Sequence, residues 1–282
     1  MAITTIGVIG AGTMGAGIAQ VAAAAGFNVA LVDVSETAVA RGLDTIASSF
    51  DRVVAKAKMT SPQKEAALGL IRGTTAYDSL KPVDAVIEAA TESFELKAKI
   101  LKKIDELVRP GAIVASNTSS ISITKLASLI SHPDRVVGMH FFNPVPVMSL
   151  VEIVRGLQTS DAAHEAVETF ARKLGKSPIT VKNAPGFVVN RMLVPMINEA
   201  FFLLAEGTAS ATEIDQGMKL GCNHPIGPLA LADLIGLDVL LSVMQILHDE
   251  FADSKYRPCP LLREMVAAGY VGRKSGRGVY RY

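Results

Sequence analysis

Thr5-Ile6-Gly7-Val8-Ile9-Gly10-Ala11-Gly12-Thr13-Met14-Gly15 opens with a short β-branched run and passes directly into three glycines spaced Gly-x-Gly-x-x-Gly. The run reads as a strand, and the alanine-rich stretch after it reads as a helix that Gly26 can close in a left-handed cap. Each glycine of the triplet has a task. Gly10 allows the tight turn, Gly12 lets backbone approach a pyrophosphate, and Gly15 lets helix pack closely on strand. The helix N-terminus then presents N–H groups and a positive dipole end to phosphates, with Ala11, Thr13 and Met14 completing the loop. Such a motif is weak alone, but Asp33 stands at the end of the next β-branched run, Asn28 to Val32. A carboxylate there accepts both hydroxyls of an adenosine ribose. Its charge also repels a 2′-phosphate, and Val34-Ser35 supplies no Arg to offset it, so the expected cofactor is NAD rather than NADP.

Working outward, further strand-like runs recur at Asp84 to Ala89, Ala112 to Ser116, Val136 to Met139, Leu150 to Val154 and Ile179 to Val181, with a weak one near Gly73 to Thr75. Helical patterns intervene as far as Met139. This alternation predicts an α/β Rossmann-type, doubly wound, mostly parallel sheet. Between the second and third strands, Glu36 to Met59 repeats apolar residues at helical spacing. Ser61-Pro62 then offers an N-cap and first-turn proline for a second helix, giving a helical hairpin projecting from the sheet. The pattern changes at Asn183-Ala184-Pro185-Gly186. Beyond it Phe187 to Glu206, Ala211 to Leu220, Leu229 to Glu250 and Pro260 to Ala268 read as helices, and Gly278 to Tyr282 as a short extended tail. The expected division is residues 1–184 as an NAD-binding Rossmann domain and 185–282 as an all-α C-terminal domain.

The whole chain agrees with this division. Its 282 residues suit about two domains of roughly 100–200 residues each. Two cysteines cannot make a disulfide scaffold. With 28 Lys plus Arg against 27 Asp plus Glu, the formal net charge of +1 argues against a nucleic-acid partner or an anionic membrane surface, because such partners require many excess cations. No apolar run reaches the roughly 18 residues of a membrane span, and Met1-Ala2-Ile3-Thr4-Thr5 lacks a basic leader. The expectation is a cytoplasmic protein with no membrane partner.

In open α/β sheets ligands bind beyond the carboxyl ends of the strands. Three polar clusters fall there: Ala89-Ala90-Thr91-Glu92, with Lys97 further on; Asn117-Thr118-Ser119-Ser120; and His140-Phe141-Phe142-Asn143-Pro144. Of the five histidines only His140 sits at a strand end, and an imidazole titrating near neutrality can exchange the proton that accompanies hydride transfer. Glu152 lies in the next apolar strand. A carboxylate is costly to bury there unless it has a partner, and His140 would satisfy it and be oriented by it. On the first helix of the hairpin, Ser49, Arg52 and Lys56 share one stripe.

These residues match a family. The glycine motif with Asp33, Ser116-Asn117-Thr118-Ser119-Ser120, Gly138-Met139-His140-Phe141-Phe142-Asn143-Pro144, Pro185-Gly186-Phe187-Val188-Val189-Asn190-Arg191 and the ending Gly272-Arg273-Lys274-Ser275-Gly276-Arg277-Gly278 resemble the 3-hydroxyacyl-CoA dehydrogenases almost end to end. The short bacterial 3-hydroxybutyryl-CoA members are the most similar in pattern. The resemblance implies that His140 is the acid/base with Glu152 as its partner, and that Ser119 and Asn190 hydrogen-bond the substrate. It also implies that Glu92, Lys97, Asn117, Asn143 and Lys274 join the glycine loop around NAD. The hairpin would then meet the nucleotide of an acyl-CoA, with Lys56 as the phosphate contact and Ser49 and Arg52 beside it. The C-terminal domain would complete the substrate cleft and form a homodimer, and Leu234, Leu237, Leu240, Leu241 and Met244 give its helices more than one apolar face. Two rivals stay open: a dehydrogenase of a free sugar acid or another small hydroxy acid, similar to gulonate dehydrogenase, and a non-catalytic NAD-binding protein.

Overall fold

A computed structural model describes residues 3–282, so the N-terminal reading at Met1 and Ala2 lies outside the described residues. The chain divides into two compact units, the first ending at Ala184 and the second running from Pro185 to Tyr282.

The first unit is one eight-stranded sheet with helices on both faces. Its elements follow as β1 (Thr5–Ile9), α1 (Thr13–Ala24), β2 (Asn28–Val32), α2 (Glu36–Ala55), α3 (Ser61–Gly69), β3 (Ile71–Thr74), β4 (Ala85–Glu88), α4 (Phe94–Leu107), β5 (Ile113–Ser116), α5 (Ile123–Ala127), β6 (Val136–Phe141), β7 (Leu150–Arg155), α6 (Asp161–Lys173) and β8 (Ser177–Lys182). The strand order is β3-β2-β1-β4-β5-β6-β7-β8. β1 to β6 run parallel, β7 turns back antiparallel against β6, and β8 runs parallel to β7. The central strands are buried throughout, as a sheet covered on both faces requires. The order reverses between β1 and β4, which opens the crevice where such sheets take their ligands.

α2 shows how the sequence sets its own orientation. Val39, Gly42, Ile46 and Phe50, spaced three or four apart, form its buried stripe, and Ile46 and Phe50 join the sheet's core. The helix ends at Ala55, four residues before the expected Met59, because Ala57 adopts a left-handed φ of 53°. The next helix is capped by Thr60 rather than Ser61: Thr60 and Gln63 form a reciprocal capping box, with Pro62 in the first turn.

The second unit contains α7 (Val189–Ala205), α8 (Ala211–Gly221), α9 (Pro228–Ile235), α10 (Leu237–Phe251) and α11 (Pro260–Ala267). The single helix expected over Leu229 to Glu250 is therefore two, whose axes meet at 99°. Gly236 makes the corner at φ 105° and ψ 125°, a conformation closed to residues bearing a Cβ. This corner also settles where the apolar faces go. Leu237, Leu240 and Met244 are buried in the unit's own core, Leu241 is partly buried against it, and Leu234 is exposed.

Two buried carboxylates fix the tail. Asp215 accepts the N–H groups of Leu229 and Ala230 at 2.7 and 3.0 Å, capping α9 from another helix, and also accepts the Tyr280 hydroxyl at 2.7 Å. Burial, then the hydrogen bond and charge of Asp215, push the Tyr280 phenol far above its ordinary pKa. Asp233 accepts the N–H groups of Val279 and Tyr280. The extended tail reduces to isolated bridges, Gly272 with Arg277 and Arg277 with Arg281. Among the described residues no single helix is long and apolar enough to cross a membrane, although α9 and α10 together would pass by length and composition if they were not bent.

Candidate active site

The glycine loop closes on itself for steric reasons. Gly10 has φ 99°, and a Cβ there would stand 2.7 Å from the Ala89 carbonyl oxygen. A Cβ on Gly15 would stand 1.7 Å from the Gly10 carbonyl oxygen, so α1 can lie this close to β1 only with glycine at that position. Gly12 differs, since beyond its own atoms and those of its chain neighbours nothing lies within 4 Å of where its Cβ would be. It is the N-cap of α1, no side chain caps that helix, and no acidic residue occupies its first turn. The donors and the positive dipole end are thereby left toward a cavity of about 550 Å³ lined by Gly10, Gly12, Thr13, Asp33, Tyr77 and Ala89 among others. Asp33 is held in place by its own loop, with Oδ2 accepting from Ala11 N–H at 2.6 Å and Oδ1 from Val34 N–H at 2.7 Å. Each oxygen keeps a lone pair for a ribose hydroxyl. Open space at Gly12, an uncapped helix end and an anchored carboxylate together fit an adenine dinucleotide.

Beneath this loop lies a network that the sequence reading passed over. Glu88, at the end of β4, is fully buried between Ile9 of β1 and Ser116 of β5. Its carboxylate accepts from Lys97 Nζ at 2.9 and 2.7 Å, from Ser116 Oγ at 2.7 Å and from Ala90 N–H at 2.8 Å. Lys97, expected at the cofactor, is itself fully buried and committed to Glu88. Its ammonium also stands 3.5 Å from Glu92 Oε2, so Lys97 acts from below the site. The only hint in the sequence was a Glu at the end of an apolar run, and nothing in the order of residues named its partner.

Glu92 is the next link. Its Oε1 accepts from Thr118 Oγ1 at 2.6 Å, Ser119 N–H at 2.8 Å, Ser119 Oγ at 3.2 Å, Ser120 N–H at 3.0 Å and Ser120 Oγ at 2.9 Å. Burial works to raise its pKa, but the Lys97 charge and the bonds from Thr118, Ser119 and Ser120 outweigh it and hold the carboxyl below its ordinary value. Asn117 faces the other way. Its Oδ1 accepts from Phe141 N–H at 2.8 Å, tying the end of β5 to the residue after His140.

His140 and Glu152 are direct cross-strand partners in the antiparallel β6–β7 pair. Both are buried, and His140 Nδ1 lies 2.6 Å from Glu152 Oε2. A carboxylate oxygen only accepts, so Nδ1 carries the hydrogen and Nε2 is the basic position of the ring. The Phe142 ring packs beside the imidazole with centroids 4.5 Å apart.

Following the loop between β6 and β7, the Asn143–Pro144 peptide is cis, and Asn143 lines a second cavity of about 660 Å³. Thr13 of α1 and Ser49, Arg52 and Lys56 of the hairpin share that cavity, with Val145, Pro146 and Val147 as an apolar wall. Asn143, expected at NAD, thus stands with the hairpin cations rather than along the adenosine-side cavity. Lys56 is the C-cap of α2, where the negative end of the helix dipole favours cations. Two residues escaped the sequence reading, Lys58 and the buried Gln20 on α1, and both line this cavity. Lys176 holds the loop from behind, its ammonium donating to the carbonyls of Val145 and of Met148, the latter at 2.8 Å. In the second unit, Asn190 lies in the first turn of α7, and the Lys274 ammonium pairs with Asp238 at 2.6 Å.

A dinucleotide crevice with a histidine–carboxylate pair at the sheet's end, followed by a helical unit, defines the class of two-domain Rossmann dehydrogenases. Residues 5–184 match the model of the 3-hydroxyacyl-CoA dehydrogenase NAD-binding domain, and residues 186–282 match that of the 3-hydroxyacyl-CoA dehydrogenase C-terminal domain. The chain is 52% identical over 280 residues to a 3-hydroxybutyryl-CoA dehydrogenase of Bradyrhizobium diazoefficiens, covering 99% of this chain and 96% of that one. It is 42% identical to the human mitochondrial hydroxyacyl-coenzyme A dehydrogenase, covering 98% of this chain and 90% of that one. The crystal structure of (S)-3-hydroxybutyryl-CoA dehydrogenase from Ralstonia eutropha superposes with a TM-score of 0.98 at 65% identity, covering 100% of this chain and 99% of that one. This chain belongs to the 3-hydroxyacyl-CoA dehydrogenase family and is an NAD-dependent oxidoreductase acting on a CH–OH group.

The depressed Glu92 carboxyl has a consequence for stability. A carboxyl whose folded pKa is below its unfolded value stabilises the fold fully above the unfolded value, here 4.5, and loses that contribution as pH falls through the folded value. Glu92→Gln should therefore lower the thermal midpoint at neutral pH, and its difference from the parent should shrink as pH is taken below about 4. A difference that stays constant across that range would show that the charge of Glu92 does not contribute.

Proposed function

We propose that the protein oxidises short-chain L-3-hydroxyacyl-CoA, foremost 3-hydroxybutyryl-CoA, to the 3-ketoacyl-CoA, reversibly. NAD, when bound by the glycine loop and Asp33, supplies the hydride acceptor. The observation that carries the reading is the buried 2.6 Å pair of His140 and Glu152 at the end of the sheet. Nε2 of His140 takes the proton of the 3-hydroxyl during oxidation and returns it to the ketone oxygen in the reverse direction. Glu152 holds the Nδ1–H tautomer and balances the imidazolium that forms. Ser119, fixed by Glu92, and Asn190 hydrogen-bond the substrate, so that positioning and a well-placed base supply most of the acceleration. Lys56, Arg52, Ser49 and Lys58 receive the phosphates of CoA, and its pantetheine arm runs along the Val145–Val147 wall. The preference for a four-carbon acyl group rests on the names of the Bradyrhizobium and Ralstonia relatives.

A free sugar acid would leave the cationic cavity on α2 unused, and a non-catalytic binding module has no need of a buried histidine–carboxylate pair. We further propose that the second unit forms a homodimer, because Leu220, Leu234 and Val239 leave large apolar side chains on its surface. Asn190 and Lys274 would serve the substrate and cofactor from that unit.

Three outcomes are expected. His140→Gln should lower turnover by roughly 10²- to 10⁴-fold while leaving NADH binding measurable by calorimetry, whereas turnover like the parent's removes His140 from the chemistry. Lys56→Ala should raise KM for acetoacetyl-CoA much more than for a truncated thioester without the nucleotide, and equal effects on both would argue for damage to the fold. Light scattering at micromolar concentration should give the mass of a dimer, and a monomer's mass would end that proposal.

A further inference from the structure

A third cavity, about 370 Å³, lies between α2 and the glycine loop, walled by Ala11, Gly12, Asp33, Ala38, Arg41 and Thr45 among others. Asp33 and Gly12 are shared with the adenosine-side cavity, whereas Ala38, Arg41 and Thr45 line only the new one of these two. Ala38, Arg41 and Thr45 continue toward the N-terminus the same helical stripe that bears Ser49, Arg52 and Lys56. The root of Arg41 is fixed, because its neighbour Gly42 packs so tightly on the loop that a Cβ there would stand 2.8 Å from the Ala11 carbonyl oxygen. Its side chain is exposed and takes part in no ion pair among the described residues, with Asp33 or with any other carboxylate. Arg41 and the carboxylate assigned to the ribose thus line one cavity, with no ion pair between them.

The ribose hydroxyls bound at Asp33 are donors to a carboxylate. Esterifying one with phosphate removes a donor, sets a dianion against Asp33, and requires room beyond Asp33 together with a cation. The third cavity provides both, and a planar guanidinium matches phosphate oxygens in pairs. We propose that Arg41 and this cavity form a subsite for a phosphomonoester on the adenosine ribose, the 2′-phosphate of NADP(H), which the charge of Asp33 alone keeps closed. The sequence offered no Arg immediately after Asp33; the cation comes eight positions later, where the helix brings it back to the same cavity. Preference for NAD over NADP then rests on one carboxylate rather than on the lack of a phosphate site.

This inference rests on the assignment of Asp33 to the ribose, and the test separates the two. Dissociation constants of NADH, NADPH and CoA are measured by calorimetry for the parent, Asp33→Ser, Asp33→Ser/Arg41→Ala and Asp33→Ser/Arg41→Lys. Asp33→Ser should weaken NADH and tighten NADPH. Adding Arg41→Ala should raise the ratio of the NADPH to the NADH dissociation constant by about tenfold or more, and Arg41→Lys should restore part of the difference. NADH binding in each variant reports that the site is folded. If Asp33→Ser leaves NADH binding unchanged, the ribose assignment falls and this inference falls with it. If Asp33→Ser weakens NADH but Arg41→Ala leaves the ratio unmoved, the ribose assignment stands and the subsite is overturned. A loss confined to CoA would also overturn it, because Arg41 would then be meeting the 3′-phosphate of CoA.

Discussion

The site is built on an ion pair with no access to water. Glu88 and Lys97 are both fully buried at the carboxyl end of the sheet, one ending β4 and the other one turn into α4. Unpaired, either charge would cost several kcal/mol, and removing one partner of such a pair typically costs about 3–5 kcal/mol. The pair is tolerated because every lone pair has work: two bonds from Lys97, one from Ser116 and one from Ala90 N–H close around the Glu88 carboxylate. This arrangement ties the ends of the neighbouring strands β4 and β5 to α4, beside the point where the strand order reverses. From Lys97 the charge continues to Glu92 and from there to the serine loop, so Ser119 is positioned by a chain of polar contacts that begins in the floor of the sheet. Hydrogen bonds in so dry a setting reinforce one another and leave few alternative arrangements.

A second constraint is the reversal of direction at β7. Because β7 runs antiparallel to β6, its residues face those of β6 one to one, and Glu152 falls opposite His140. A slip of β7 by a single residue would turn Glu152 to the other face of the sheet and away from His140. The loop that makes this reversal is also a wall of the cavity containing the hairpin cations, and Lys176 pins its backbone. The proposed acid/base pair and the proposed CoA site are therefore set by the same turn of chain.

The hairpin helix shows why overall charge says little about ligands. The chain carries a formal net charge of only +1, yet α2 places Arg41, Arg52 and Lys56 along one stripe, with Lys58 just past its end. Electrostatic binding of a phosphate depends on cations within a few ångströms, since salt screens charges more than about 8–10 Å away. Local placement can thus serve a polyanionic ligand on an almost neutral protein.

The order of residues by itself determined the parallel sheet, the glycine turn, Asp33, the change to helices near Pro185 and the candidate pair His140–Glu152. These are readable because they rest on local rules: periodicity, turn chemistry and the cost of a charge in an apolar run. Tertiary structure decided what depends on residues far apart in the chain. It gave Glu88 its partner, put Lys97 beneath the site, turned Asn143 toward the hairpin, broke the helix at Gly236 and returned Arg41 to the wall shared with Asp33. Packing brings these groups together across 8 to more than 90 positions of chain, and no local pattern encodes which of many possible partners will be reached.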